Sequence, residues 1–290
     1  MLIVQRRRVV AASYSAAAQD YINRVIAADA AAGNSLGLES GVKDAYAAFI
    51  DGMISAGFFT ASDGVVSTSS VINSVVIGRG AQTWQGSMIP IVGPSPTPYI
   101  NTSTTGWETA GYNRKTGWIG NQNRWINTNK NNNSDPQDNN YRAVFIASSA
   151  TIFYSRYFNV GSSGGSGDTG LSFGDNAGYN GMLFYNNQSG CIIAFPRTST
   201  GLCGSMRTSS SSFTAFAGAS EQVGSSTSQT PKNQNFGIFN NIGEDASLRS
   251  NSTIAGYFFG AAPSNRTTLR TLIESLMTSL DRKSTRLNSS

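Results

Sequence analysis

The sequence predicts a mainly β protein: an antiparallel β-sandwich that carries an N-terminal helical hairpin and a C-terminal helix. Three observations predict it. Between residues 99 and 262, about a dozen short segments rich in aromatic and β-branched residues recur between Gly, Ser and Asn clusters, the pattern of an antiparallel sandwich or barrel. No helix-length periodic segment interrupts them, which argues against a parallel α/β sheet, whose strands need long crossovers. Sustained helical periodicity occurs in two segments before residue 57 and one after residue 264.

The elements follow in order. Residues 1–15 read as an exposed N-terminal arm: Arg6, Arg7 and Arg8 precede a stretch too short and polar for the apolar region of a signal peptide. Residues 16–32 predict a helix, with Tyr21, Ile22, Val25 and Ile26 on one stripe and Gly33-Asn34 as its stop. A second helix is predicted from Leu38 to Ala56, where Leu38, Val42, Ala45, Tyr46, Phe49, Ile50, Met53 and Ile54 keep the 3.6-residue period. The short connection makes the pair a hairpin. In residues 68–90 the spacing of Val71, Ile72, Val75 and Val76 predicts a short helix against their β-branched character. Pro90, Pro94, Pro96 and Pro98 then mark a boundary between a small helical region, 16–90, and the sandwich, 91–281.

Predicted strands are Trp118–Ile119, Arg124–Thr128, Tyr141–Ala147, Ile152–Asn159, Gly170–Phe173, Met182–Asn186, Cys191–Phe195, Gly201–Arg207, Ser212–Ala217, Gln222–Ser226, Asn235–Asn240 and Thr253–Gly260. Alternation points Val144 and Ile146 inward. Leu269, Leu272, Ile273, Leu276 and Leu280 predict a helix over 265–280, with Ser264 or Asn265 as its N-cap. Residues 282–290 share none of that periodicity and read as a non-native or disordered tail.

Composition excludes several chemistries. The 290 residues contain no histidine, which removes Ser-His-Asp and Cys-His catalysis and imidazole metal sites. Two cysteines cannot make the usual four-ligand zinc site. No apolar run reaches ~18 residues, so no membrane helix and no membrane partner are expected. The formal charge of +5 suggests a nucleic-acid ligand at first sight, yet six of the 21 basic residues are Arg6, Arg7, Arg8, Arg282, Lys283 and Arg286. The remaining 15 face 16 acidic residues, so the body is nearly neutral and no nucleic-acid partner is expected.

The constellations that remain suit binding better than chemistry. The acids of the β region, Glu108, Asp135, Asp138, Asp168, Asp175, Glu221, Glu244 and Asp245, show no E-x-D alternation that would aim two carboxylates into one groove, the arrangement glycoside hydrolysis needs. The run Asn129 to Asn140 is dense in oxygen atoms and makes Asp135 and Asp138 the candidate metal ligands; calcium is the ion such a set would suit, and no other cofactor is expected. A structural Asx-turn loop is the alternative. Trp84, Trp107, Trp118 and Trp125, with Tyr99, Tyr112 and Tyr154, offer faces on which sugar rings could stack, or else build the core. Cys191 and Cys203, with eleven residues between them, fit neighbouring strands, as a disulfide or as buried thiols. The Gly161–Gly167 run lacks a following Lys-Ser/Thr and is a loop rather than a phosphate cradle.

Tyr112-Asn113-Arg114-Lys115-Thr116-Gly117, then Gly120, Arg124-Trp125-Ile126-Asn127-Thr128 and Asn131-Asn132-Asn133-Ser134-Asp135-Pro136-Gln137-Asp138, resembles a pattern in tailed-bacteriophage structural proteins. The chain differs from that pattern at Gly120-Asn121-Gln122, where a G-D-G turn is usual. The resemblance implies a concanavalin A-like lectin/glucanase jelly roll after a helical hairpin, in a virion or tail-associated protein. It implies other virion proteins as partners, host-surface polysaccharide as ligand, a homo-oligomer and a virion location. It supplies no catalytic residues. The ligand-binding candidates are Tyr112, Asn113, Arg114, Trp118 and Trp125; the other readings are a glycan hydrolase or lyase on the same scaffold and a purely architectural subunit.

Overall fold

A computed structural model gives the fold and describes residues 13–93, 99–100, 107–121, 124–150, 155–160, 167–173, 181–188, 193–196, 199–239 and 250–284. Helix α1 (Ala16–Ala31) is capped by the Ser15 hydroxyl, which accepts from the Ala18 N–H at 3.2 Å. Helix α2 (Ser40–Ser55) follows within two residues of both expected ends. Two very short strands, β1 (Ala61–Ser62) and β2 (Val65–Val66), make a separate hairpin. Then β3 (Ser74–Ile77) and the single-turn helix α3 (Trp84–Ser87) lead into the sandwich.

The sandwich is two antiparallel sheets. One contains β5 (Tyr112–Asn113), β6 (Gly117–Ile119), β8 (Asn140–Ser148), β13 (Gly201–Arg207), β14 (Ser212–Ala217), β15 (Ser220–Ser225) and β17 (Thr253–Gly260), in the order β15-β14-β13-β8-β17-β6-β5, with β3 as its eighth strand beside β17. The other runs β12 (Ile193–Pro196), β11 (Gly181–Gln188), β10 (Asp168–Phe173), β9 (Ser155–Val160), β16 (Asn235–Ile238), β7 (Ile126–Asn131) and β4 (Tyr99–Ile100). Helix α4 (Arg266–Ser284) closes the described chain and continues past residue 281, where the tail was expected to begin.

Side-chain alternation builds three layers from this order. On β8, Val144 and Ile146 enter the core between the sheets, as expected, while Tyr141 and Ala143 face the helices. β3 divides the same way: Val76 points between the sheets, and Val75 and Ile77 point to the helices. The helical stripes, including Tyr21, Ile22, Val42, Phe49, Ile50, Met53, Leu269 and Ile273, are buried with that second set. The order is helices, eight-stranded sheet, seven-stranded sheet.

The helix expected within 68–90 is therefore corrected. Residues 74–77 form a strand, and the only helical turn of that region is α3. A strand buried on both faces reads as a continuous apolar run, so its valines mimic a helical stripe while their β-branching suits the pleat. β3 pairs with Gly256 to Phe259 of β17, which ties residues 13–93 into the sandwich.

For the Asn-rich segment, with a calcium site and a structural Asx-turn loop as its two readings, the structure ties Asp135 into ion pairs. Asp135 is buried between Lys130 Nζ at 2.9 Å and Arg142 Nη1 at 2.7 Å, and it accepts from Asn73 Nδ2 at 3.2 Å. Two side-chain cations therefore already share this carboxylate. Among the described residues no group of three Cys, Asp or Glu side chains gathers to hold a metal. Burial pushes the Asp135 carboxyl up, but Arg142 and Lys130 outweigh it and hold it below its ordinary 3.8. At the same end of the interior, the fully buried Arg207 donates to the carbonyls of Asn186, Ser209, Ser212 and Ser226. Cys203 is a buried free thiol, pushed up to about 12 by burial. Cys191, Tyr154, Asp175, Glu244, Asp245, residues 161–166, and the arm and tail at 1–12 and 285–290 lie outside the described residues.

Asp135→Asn should cost about 3–5 kcal/mol in urea unfolding, because it strands two buried cations. The sign of the pH effect follows from the lowered carboxyl: its contribution is present above pH ~4, the unfolded value, and is lost as pH falls toward the folded one. Wild-type stability should drop over that range, and the substitution should flatten the drop.

Candidate functional site

A cleft of about 300 Å³ opens where the end of α1, the segment around α3 and the β5–β6 turn meet. Its walls carry Trp84, Trp107, Tyr112, Arg114, Gln82 and Gln85. Each wall is held by identifiable chemistry.

The α3 wall hangs on Asp29. This carboxylate is fully buried and accepts from the Gln82 N–H at 2.9 Å, the Thr83 N–H at 2.9 Å and the Thr83 hydroxyl at 2.6 Å. Thr83 Oγ1 in turn accepts from the Gly86 N–H at 3.1 Å and caps α3. A Cβ at Gly86 would overlap Asp29 Oδ1, so only glycine allows the carboxylate this close. On either side of that grip the segment is tied again. Tyr46 donates to the Arg79 carbonyl, Tyr112 donates to the Ala81 carbonyl at 2.8 Å, and the Gly80 N–H donates to the Arg114 carbonyl at 2.9 Å. Trp118 Nε1 donates to Ser87 Oγ at 2.8 Å.

The opposite wall is the β5–β6 turn. Asn113 Oδ1 accepts from the N–H groups of Lys115 at 2.9 Å and Thr116 at 3.3 Å, an Asx turn. Gly117, at φ +108°, lets the returning strand lie against the Ile254 carbonyl, where a Cβ would collide. The turn presents Arg114 to Glu39 at the N-cap of α2, and Arg114 Nη2 pairs with that carboxylate. Partial burial pushes the Glu39 carboxyl up, and the Arg114 hydrogen bond and charge more than reverse it. The Glu39 carboxyl is ionised at neutral pH, and the pair joins the helices to the sheet. Burial also raises the Tyr112 phenol well above its ordinary range, so it remains a neutral donor.

The structure sorts the five sequence candidates. Tyr112 and Arg114 line the cleft. Asn113 is exposed, but its side chain is spent on the turn. Trp118 is corrected outright: it is fully buried between the sheets, with its ring centroid 6.2 Å from that of Tyr257. Strand pairing causes this, since Trp118 sits opposite Ile254 on a strand held between β17 and β5, in a sheet covered on both faces. Trp125 is partly buried against the inter-sheet core, away from the cleft. Trp84 and Trp107, both named as stacking faces, are cleft residues, while Gln82 and Gln85 were missed. The spacing of Gly78, Gly80 and Gly86 around them is the signal that could have marked a backbone strap.

A larger groove, about 490 Å³, lies beside the end of α4, but among the described residues Phe145 is the only aromatic in its wall, and the Arg79 guanidinium sits 5.7 Å from that ring's centroid. The smaller cleft is the better stacking site.

Asp29→Ala should lower stability by about 3 kcal/mol, because it leaves three buried donors without their charged acceptor. That is a Tm drop of about 6–12 °C. Gly86→Ala should destabilise for the complementary reason. Thermal unfolding followed by circular dichroism measures both.

No protein-family model and no curated protein matches the chain. Among solved structures, it is similar to domain 4 of AbnA, a GH43 extracellular arabinanase from Geobacillus stearothermophilus crystallised with arabinotriose. The identity is 12%, the TM-score is 0.43, and the match covers 64% of this chain and 92% of that one. A GH54 α-L-arabinofuranosidase matches at 10% identity and a TM-score of 0.34, over 56% of this chain and 40% of the other. At that distance neither likeness carries ligand or activity to this chain.

Proposed function

We propose that the chain is a glycan-binding structural protein: a virion or tail-associated component of a tailed phage whose cleft takes one sugar ring of a host-surface polysaccharide. The observation that carries the binding reading is the cleft. It sets two aromatic rings, Trp84 and Tyr112, beside the amide of Gln85 and the guanidinium of Arg114. Aromatic faces accept the C–H face of a pyranose, and a few polar groups fix its orientation, the usual division of labour in a small-molecule site. The volume, about 300 Å³, is at the lower limit for such sites and suits a single ring. One ring binds weakly, so useful avidity requires many copies, which a virion supplies. The Y-N-R-K-T-G turn and the N-N-N-S-D-P-Q-D loop support the phage assignment by their resemblance.

Binding is favoured over hydrolysis because, among the described residues, the cleft wall contains no carboxylate, and glycoside cleavage by the common route needs two. The chain displayed in many copies on beads should bind at least one class of bacterial surface polysaccharide on a glycan array. Trp84→Ala should weaken that binding by about 1.5–3 kcal/mol, the worth of one large apolar contact. This is roughly a tenfold to hundredfold loss. The fold should be retained, since Trp84 is only partly buried and caps nothing. Absence of binding to every polysaccharide at high valency would favour the architectural reading. Portal, capsid or tail genes beside this one are expected; a metabolic operon would contradict the virion role.

A further inference from the structure

The cleft wall offers a ligand one guanidinium, that of Arg114, and the side-chain amides of Gln82 and Gln85. Arg114 Nη2 is taken by Glu39, which leaves Nη1 as the donor a ligand can reach among the described contacts. On the acceptor side, Gln85 contributes its amide oxygen. A ligand that pairs with both brings an acceptor for the guanidinium and a donor for the amide oxygen.

Charge decides which acceptor. Among the described residues Arg114 is the only cation in the cleft wall, and it already faces Glu39, while the Asp29 carboxylate lies behind the Gln82–Thr83 backbone. One guanidinium beside two carboxylates provides no net positive field. A ligand carboxylate would compete with Glu39 for the same guanidinium and meet like-charge repulsion. A neutral carbonyl does neither.

We propose that the sugar taken by this cleft carries an acetamido group. Its carbonyl accepts from Arg114, its N–H donates to the Gln85 amide oxygen, and its methyl lies against the Trp84 or Tyr112 ring. This deepens the glycan-binding reading and rests on it: it names the class of ring as an N-acetylated amino sugar.

Saturation-transfer NMR on the intact chain tests it, with N-acetylglucosamine and N-acetylgalactosamine as probes against glucose, galactose and glucuronate. The expected result is strongest saturation on the acetamido methyl protons and about tenfold weaker binding of the parent hexoses, the worth of one hydrogen bond plus one buried methyl. Arg114→Lys keeps a cation for Glu39 but removes the remaining guanidinium donors. It should erase the preference for the acetamido sugars while leaving the melting temperature near that of wild type. Equal saturation of hexoses and their acetamido derivatives overturns this inference and leaves the glycan reading standing. Preference for glucuronate overturns it in favour of an anionic ligand. No saturation of any sugar overturns both.

Discussion

A buried carboxylate governs the relation between the helices and the sandwich. Asp29 sits at the end of α1 with no exposure, and a buried charge left without partners costs several kcal/mol. Its donors must therefore be delivered, and the residues that deliver them are the Gln82 and Thr83 backbone and the Thr83 hydroxyl. That requirement sets the path of residues 78–88. The same strap carries hydrogen bonds to Tyr46 in α2, to Tyr112 and Arg114 in the β5–β6 hairpin and to Trp118 in the core. One segment thus couples helical layer and sheet, and its outward side chains, Gln82, Trp84 and Gln85, become a wall of the cleft. The cleft is a consequence of the clamp.

A second buried charge organises the opposite sheet face. Arg142 and Arg207 are both fully buried, one against Asp135 and the other against a ring of carbonyls. Asp168 is buried beside Lys232. The near-neutral body is therefore not a chain with few important charges; several of its charges work inside, where each must be answered by geometry. Net charge said nothing about this, because it counts the members of a pair and not where they meet.

Much of the sandwich was legible because alternation is a local signal. β13, β14 and β17 begin and end where their aromatic and small-residue alternation does, and the stripes of α1, α2 and α4 were clear from the 3.6-residue period. The errors have a common cause, which is burial on two faces. β3 looked helical because Val75 and Val76 are both inside, pointing to different layers. Trp118 looked like a surface platform because nothing local shows that its strand lies between β17 and β5. Asp135 looked like a metal ligand because the cations that claim it include Arg142, seven residues on, and the supporting Asn73 is remote in sequence. At the site, the Y-N-R-K-T-G turn located Tyr112 and Arg114, but Gln82 and Gln85 matter only through a contact to Asp29 some fifty residues away. No pattern in one sequence can announce that contact.

The central claim is that residues 78–88 form a strap clamped by Asp29 rather than a surface loop. Native-state hydrogen exchange at the Gln82 and Thr83 amides measures it directly. The account predicts that both exchange as slowly as the core amides of α1, and that Asp29→Asn accelerates them selectively. Exchange of either amide at the rate of an open loop in the wild-type chain would contradict it.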